Sequence, residues 1–192
     1  MKSQFLFPLT LSAILLASGC STNSNDAYND LPANVVVTPA QAKVDAKILG
    51  GLVVLNRNEI AAATEAQRKA TNPAVKNYAA LMNKTHSQNL QETQNISRRI
   101  GVMPENGSVA MMLQSKGKQE MATLNRLQGL AFEKAYIAAM IKDHAAALAL
   151  LNQKLIPQAT NPMVKKQLII TRVHVQEHLA QAQAVQKELT HS

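Results

Sequence analysis

The sequence predicts an all-α fold built as a bundle of four long helices. Apolar residues recur at intervals of three and four over four long segments, the pattern of helices with one buried face. Aromatic residues make up 3% of the chain, while alanine, leucine, glutamine and lysine are abundant, and this composition favours helices over sheets. No segment alternates apolar and polar residues with β-branched enrichment, so no strand is predicted.

The N-terminal residues have the features of a signal peptide. Lys2 provides the charged start, residues 5–16 the apolar run, and residues 17–19 the small side chains before Cys20. The run is too short to cross a membrane as a helix. Residues 16–20 resemble a bacterial lipobox, in which the cysteine becomes the lipidated first residue. With Ser21 after it, Cys20 predicts an outer-membrane lipoprotein of a Gram-negative bacterium that faces the periplasm; ordinary secretion with a free N-terminal cysteine is the alternative.

The predicted organisation is a leader at residues 1–19, the lipidated Cys20 with a flexible tether at residues 20–37, and a helical bundle at residues 38–190. Because Cys20 is the only cysteine and serves as the anchor, no disulfide, thiolate ligand or thiol nucleophile is expected. The formal net charge is +8, but the basic residues are scattered along helices, which argues against nucleic-acid binding. They indicate a solvated helix surface or attraction to anionic lipid headgroups.

The helix boundaries are marked by capping residues. Thr38, followed by Pro39 and Gln41, predicts the start of a first helix that runs to about residue 70. Within it, the pair Gly50-Gly51 indicates either close approach of another helix or a kink. Asn72-Pro73 predicts a corner before a second helix at residues 73–100, which Gly101 ends.

The corner sequence ATNPAVK at residues 70–76 recurs as ATNPMVK at residues 159–165, with six identities in seven. It predicts that a third helix at residues 131–159, with a possible kink at Pro157, meets a fourth at residues 162–189. A duplicated helical hairpin explains this recurrence; the alternative is that Asn-Pro is a good corner selected twice.

The connection at residues 101–129 is far longer than a direct antiparallel link requires. It contains periodic apolar residues that predict one or two short helices. A connection of this length can travel the length of the bundle, so a ferritin-like four-helix bundle with a long crossover between the second and third helices is predicted.

Four ionisable residues each stand alone in an otherwise apolar helical stripe, namely Glu59, His86, His144 and His178. Glu59 and His86 lie thirteen and fourteen residues from Asn72, and the other two lie seventeen residues from Asn161. At about 1.5 Å of rise per residue, each pair is level, so all four are expected in one layer near the middle of the bundle.

A carboxylate and three imidazoles that converge in a bundle core are suited to a transition metal such as Zn, Cu or Fe. His174, one turn before His178, is a further candidate ligand. The alternative is a structural layer in which Glu59 pairs with histidines. Di-iron oxidase chemistry is disfavoured because Asn83 and Val175 stand where Glu-x-x-His motifs would need glutamate. No other catalytic motif is present, so an enzymatic role is not predicted.

Phe132, Glu133 and Tyr136, followed by Asp143-His144, resemble the Phe-Asp-x-x-Tyr…Asp-His signature of the domain-of-unknown-function family 4142. The resemblance extends over roughly residues 40–189, and it includes Glu59, Met82…His86 and His178-Leu179. It implies a ferritin-like bundle exported to the bacterial envelope, and it implies no established activity. Two departures are Glu133 and Thr85, each in place of an Asp; the second removes a possible orienting partner of His86.

Overall fold

A computed structural model describes residues 36–191, with side chains to residue 190. The predicted leader, Cys20 and residues 20–35 of the tether lie outside the described residues. Within the described range the chain is helical apart from short turns, and it contains no strand, as predicted. The elements are α1 (Pro39–Lys69), α2 (Pro73–Ile100), α3 (Ser108–Asn125), α4 (Gly129–Leu150), a π-helical turn (Leu151–Leu155), α5 (Ile156–Gln158) and α6 (Pro162–His191).

The predicted capping residues form the helix ends. The Thr38 hydroxyl accepts from the Gln41 N–H while the Gln41 side chain accepts from the Thr38 N–H, which is a complete capping box. The Asn72 side chain accepts from the N–H groups of Ala74 and Val75 at the start of α2. Gly101 ends α2 with φ 66°, in the left-handed region that favours glycine.

The crossover predicted between the second and third long helices is confirmed, and it consists of α3. The segment before it starts beside α1, where the Glu105 N–H donates to the Ala46 carbonyl at 2.9 Å. At the far end of α1, Lys69 Nζ donates to the Leu124 carbonyl at 3.0 Å. Thus α3 runs parallel to α1 and returns the chain to the Asn72 corner, where α4 begins. As a result α1 and α6 point one way, and α2 and α4 the other.

The Gly50-Gly51 pair permits close approach of the crossover segment. A Cβ built on Gly50 would lie 1.9 Å from the Glu105 carbonyl oxygen, and one on Gly51 would lie 3.2 Å from Val109 Cγ1. The backbone of residue 105 therefore occupies space that any side chain at position 50 would fill. Of the two explanations for the glycines, the structure supports close approach, by the loop before α3 at Gly50 and by α3 itself at Gly51.

The two Thr-Asn corners are held in the same way by buried carboxylates from opposite helices. Glu133 of α4 accepts from the N–H groups of Thr71 and Asn72, at 2.6 and 2.7 Å. Asp45 of α1 accepts from the backbone of the second corner, at residues 160 and 161, with both distances 3.0 Å. The threonine hydroxyl at each corner donates to the same carboxylate. This matched arrangement supports the duplicated hairpin, and it shows that glutamate at position 133 still serves as a capping acceptor.

The π-helical turn lies where the sequence indicated a possible kink. Pro157 has no N–H for the carbonyl four residues earlier, so the regular ladder is interrupted there. A π-helical turn holds one additional residue. The span from Glu133 to the Asn161 corner is 28 residues, and the span from Asp45 to the Asn72 corner is 27. The π-helical turn accommodates the additional residue, so the two carboxylates occupy equivalent positions relative to the corners.

An apolar cluster fills the bundle near the Asn72 corner, and its large side chains include Phe132, Tyr136, Tyr78, Met82 and Met140. Phe132 stacks on Tyr136 with ring centroids 6.2 Å apart, and Tyr78 meets Tyr136 edge to face at the same separation. None of the helices within residues 36–191 combines the length and apolarity that crossing a membrane requires. The cluster ends one helical turn before His86 and His144, because Met82 and Met140 each precede one of these histidines by four residues.

Candidate metal centre

Three of the predicted histidines meet in the core, each from a different helix. His86 comes from α2, His144 from α4 and His178 from α6. The ring centroids are 6.0 Å apart for His86 and His144, 5.3 Å for His86 and His178, and 5.5 Å for His144 and His178. One nitrogen from each ring lies within 4.8 Å of the other two. The three imidazoles therefore converge on one point.

The three histidines are buried and uncharged. Each of the three side chains is only 2% exposed, so ionising any of them would place a charge in a low-dielectric core. Burial lowers the pKa of His86 and His144, and it lowers the pKa of His178 to about 3. Repulsion from His144 and His174 adds to the lowering at His178. All three imidazoles are neutral at pH 7, which is the form that binds metals.

Asn56 orients the ring of His86. Its side-chain N–H donates to the Leu52 carbonyl at 2.8 Å, so its amide oxygen is the group that faces His86. That oxygen lies 2.8 Å from His86 Nδ1, which must therefore carry the proton and donate. The remaining nitrogen, Nε2, keeps its lone pair, and it is buried without a partner. An oxygen acceptor behind a ring nitrogen is the usual support of a metal-binding histidine.

His144 is oriented by its own helix. Its Nδ1 lies 2.8 Å from the Met140 carbonyl one turn earlier, so Nδ1 donates and Nε2 keeps its lone pair. His144 Nε2 and His178 Nδ1 are both buried without a hydrogen-bond partner. Together with His86 Nε2, three ring nitrogens in one layer are unsatisfied, each at a cost of about 1–3 kcal/mol. Such a group calls for a ligand or an ordered water.

A second group of buried polar side chains in the same core, in contrast to the histidines, is hydrogen-bonded within itself. Asn89 and Gln167 are joined through their side-chain amides, and Asn89 Nδ2 donates to Thr171 Oγ1 at 3.2 Å. The Thr171 hydroxyl in turn donates to the Gln167 carbonyl at 2.8 Å. This bundle therefore pairs the buried polar side chains of one layer with each other and leaves one ring nitrogen of each of the three histidines unpaired.

The geometry suits a nitrogen-only site with an open position. In a tetrahedral site with metal–nitrogen bonds of about 2.0–2.1 Å, ligand nitrogens lie roughly 3.4 Å apart. The present separations lie within 4.8 Å, so binding requires the ligand nitrogens to approach one another by up to about 1.4 Å. Three neutral imidazoles would leave the fourth position free.

Glu59 lies apart from the histidine group. Its carboxyl group lines a cavity with Lys116 of α3 and Asp143 of α4, and it is not one of the ligands that lie within 4.8 Å. Asn56 is the residue that α1 contributes to the layer. Residues three positions apart on a helix point about 60° away from each other. Asn56 therefore faces α2, while Glu59 faces α3 and α4.

His174 lies beside the centre. Its ring stacks on His178 with centroids 6.4 Å apart, and its Nδ1 is buried without a partner, although the residue as a whole is half-buried. It is not among the three nitrogens that converge. From this position it borders the ligand group one helical turn away.

Two buried polar residues of α1 were missed by the sequence reasoning, namely Asn56 beside His86 and Asp45 at the second corner. Both are polar residues in a second, otherwise apolar row of α1 that includes Leu49, Leu52 and Ala63. A search of both rows for isolated polar residues would have found Asn56. The partner of Asp45 is more than a hundred residues away in the chain, and no local pattern indicates it.

Fold and site together define an all-helical bundle protein with a candidate metal centre of three buried histidines. The chain belongs to the domain-of-unknown-function family DUF4142, whose family model matches residues 32–185. This confirms the resemblance seen in the sequence. Neither the curated proteins nor the solved structures include a significant match to the chain.

Proposed function

We propose that this protein is an envelope lipoprotein that holds one transition-metal ion through His86, His144 and His178, for metal storage, sensing or protection against metal stress. The observation that carries the proposal is the convergence of three buried histidines, each of which has one ring nitrogen without a hydrogen-bond partner. An ion would satisfy all three at once. The hydrogen bonds behind His86 and His144 already hold those two rings with a free lone pair.

The donor set favours copper or zinc over iron. Imidazole nitrogens suit both Cu and Zn, whereas non-haem iron sites include carboxylate ligands, and no carboxylate belongs to this group. The three ligands are neutral, so they do not offset the charge of the ion. Because the cost of burying an ion rises with the square of its charge, a monovalent ion such as Cu(I) is the least costly occupant.

The envelope location rests on the sequence around Cys20. The leader, the small residues before the cysteine and the polar tether are the support for a lipid anchor in the outer membrane. On this proposal the bundle faces the periplasm, and the lipid provides its membrane contact. Metabolic labelling with a fatty acid would test it, since labelling of the parent chain and not of Cys20→Ser is expected.

The alternative is a structural or interaction module in which the histidine layer serves packing alone. The paired Asn89, Gln167 and Thr171 layer favours it, because it shows that this bundle accommodates buried polar groups without an ion. A single buried water between the three rings would then satisfy their nitrogens. The two functions differ in whether the purified chain retains metal.

Metal analysis decides between them. The chain from residue 21 onward, without a histidine tag, is incubated with Zn, Cu, Fe or Mn, desalted, and analysed for bound metal by mass spectrometry. We expect one Cu or Zn ion per chain, lost in His86→Gln, His144→Gln and His178→Gln. His191→Gln is the matched control, since that histidine lies at the C terminus, and it should bind as the parent does. Absence of all four metals from the parent chain would contradict the proposal.

A further inference from the structure

A second internal site lies between α1, α3 and α4. It is a cavity of about 180 Å³ with apolar walls that include Leu55, Leu113 and Leu150. Its polar end is formed by Glu59, Asp143 and Lys116. For comparison, a buried cavity of about 150 Å³ accommodates benzene. The volume suits a compact organic molecule with one ring or a short alkyl chain.

Glu59 is the unsatisfied group of this cavity. Its Oε2 atom is buried and has no hydrogen-bond partner, although other parts of the residue keep some exposure. Burial, with a smaller contribution from the nearby Asp143, raises the pKa of Glu59 to about 8. A carboxyl group in this position lacks a positive partner.

The neighbours that could supply that partner are already engaged. Lys116 Nζ lies 2.5 Å from Asp143 Oδ1, so its charge is used in that ion pair. The Asn58 amide donates to the Leu113 carbonyl at 2.8 Å. The cavity therefore presents an acid with an open side toward its empty volume.

The charges around the cavity leave room for one positive charge. Lys116 and Asp143 cancel each other. Glu120 hydrogen-bonds to Asp143, and burial raises its pKa to about 8, so it is protonated at neutral pH. Burial likewise keeps Glu59 protonated at neutral pH while the cavity is empty, because its pKa is also raised to about 8. An ammonium group beside the orphaned oxygen would favour the ionised form, so one ligand cation can pair with Glu59 as its proton is released. A divalent metal would bring excess charge, and these carboxylates do not form a group of ligand atoms within 4.8 Å; among residues 36–190, the histidines alone do so.

We propose that this cavity binds a small primary amine with an apolar body, whose ammonium group pairs with Glu59. The apolar walls bury the body of the ligand, and the ammonium hydrogen-bonds to the orphaned carboxyl oxygen. Met112 is 53% exposed at the rim and the Lys116 side chain is 32% exposed, so both can move aside to admit a ligand. This site is separate from the histidine centre, and its proposal does not depend on metal binding.

Calorimetric titration with matched amine and alcohol probes tests the site. Benzylamine, cyclohexylamine and butylamine are titrated into the metal-free chain at pH 7.5, beside benzyl alcohol, cyclohexanol and butanol. We expect at least one amine to bind at least ten times more tightly than its alcohol. Glu59→Gln should remove this preference, while the exposed Glu105→Gln should keep it.

A cavity-filling variant provides the second arm. Ala147→Leu keeps Glu59 but occupies the cavity, so it should weaken binding of the amine and of its alcohol alike by at least tenfold. Thermal melts would show that each variant is folded before titration. The proposal is overturned if none of the three amines binds, if Glu59→Gln retains the preference for amines, or if the filled variant binds as the parent does.

Discussion

Asn56 and His86 are joined across α1 and α2 by a hydrogen bond of 2.8 Å between the amide oxygen and Nδ1. Asn56 is fully buried, and its own N–H is held by the Leu52 carbonyl. The amide cannot turn over without losing this second bond. Asn56 thereby fixes which nitrogen of His86 faces the other two histidines. In this chain Asn56 takes the orienting role for which Thr85 offers no carboxylate.

Replacing Asn56 by alanine is expected to weaken metal binding without abolishing it. His86 Nδ1 loses its acceptor, so the metal affinity should fall about 10–100-fold, as it does when supporting partners of metal-binding histidines are removed. The free energy of unfolding should fall by about 1–3 kcal/mol, because a buried donor is left unpaired. Competition titration against a chromophoric chelator measures the first, and urea unfolding the second.

Asn77→Ala is the matched control for that substitution. Asn77 is exposed on α2, so its loss should change neither quantity by more than about 0.5 kcal/mol. An Asn56→Ala chain that binds metal as tightly as the parent would show that the orientation of His86 does not depend on this amide.

The His144→Leu substitution distinguishes a metal centre from a histidine layer that contributes only to packing. In the metal-free chain the substitution removes one unsatisfied nitrogen, so the melting temperature should stay the same or rise. Added Cu or Zn should raise the melting temperature of the parent and leave that of the variant unchanged. At a metal concentration 100 times the Kd, binding should stabilise the folded parent by about 2.7 kcal/mol. Differential scanning calorimetry with and without metal provides both readings. A parent chain that shows no metal-dependent shift would favour the packing layer.

Glu59→Gln is expected to flatten the dependence of stability on pH. The native state keeps the Glu59 proton from the ordinary pKa of 4.5 up to about 8, whereas the unfolded state loses it. The free energy of unfolding therefore falls as pH rises through this window, by at most about 1.4 kcal/mol per pH unit from this group. The variant cannot ionise, so it should exceed the parent in stability at pH 9, by at most about 5 kcal/mol.

Urea unfolding of both metal-free chains at pH 5, 7 and 9 checks this expectation. The difference between them should be smallest at pH 5, where Glu59 is largely protonated in both states. Glu105→Gln removes an exposed carboxylate and should follow the parent curve. Equal slopes for the parent and Glu59→Gln would mean that Glu59 titrates normally in the folded chain.

Asp45→Ala and Glu133→Ala are expected to destabilise the bundle to a similar extent. Each carboxylate accepts from two corner N–H groups and one threonine hydroxyl, and all of these lose their acceptor together. Bonds to a charged acceptor contribute about 1.5–3 kcal/mol each, and the losses overlap, so roughly 3 kcal/mol is expected per variant. Chemical denaturation measures it.

Glu105 lies on the surface, so the loss of stability in Glu105→Ala measures the effect of removing a surface charge alone. Comparison with it distinguishes lost capping from lost surface charge. A loss below 0.5 kcal/mol at either corner would contradict the matched role of the two carboxylates. Asp45→Asn should recover part of the stability because the amide oxygen still accepts.

Much of the architecture could be predicted because it depends on local chemistry. The corners at Asn72 and Asn161 follow from caps followed by proline, and the helix lengths follow from apolar periodicity. The crossover could be inferred from the length of one connection. The meeting of three histidines could also be inferred, since their distances from the corners place them at one height.

The rotation of α1 about its own axis, which decides which of its residues face the histidines, could not be predicted. This helix packs against α2 on one side and α3 on another, so its buried surface is wider than one stripe, and two adjacent rows are both buried. The sequence reasoning selected the row that contains Glu59. The row that contains Asn56 faces the histidines, and the choice depends on the position of α3.

From its own pattern, the sequence determined the helices, their corners, the long crossover and the three histidines that share a level, because caps and periodicity act between residues close in the chain. Only the tertiary structure decided that Asn56 supports His86, that Glu59 faces a cavity, and that Asp45 and Glu133 hold opposite corners. Those outcomes depend on the rotation of each helix about its axis, and that rotation is set by packing between residues far apart in the chain.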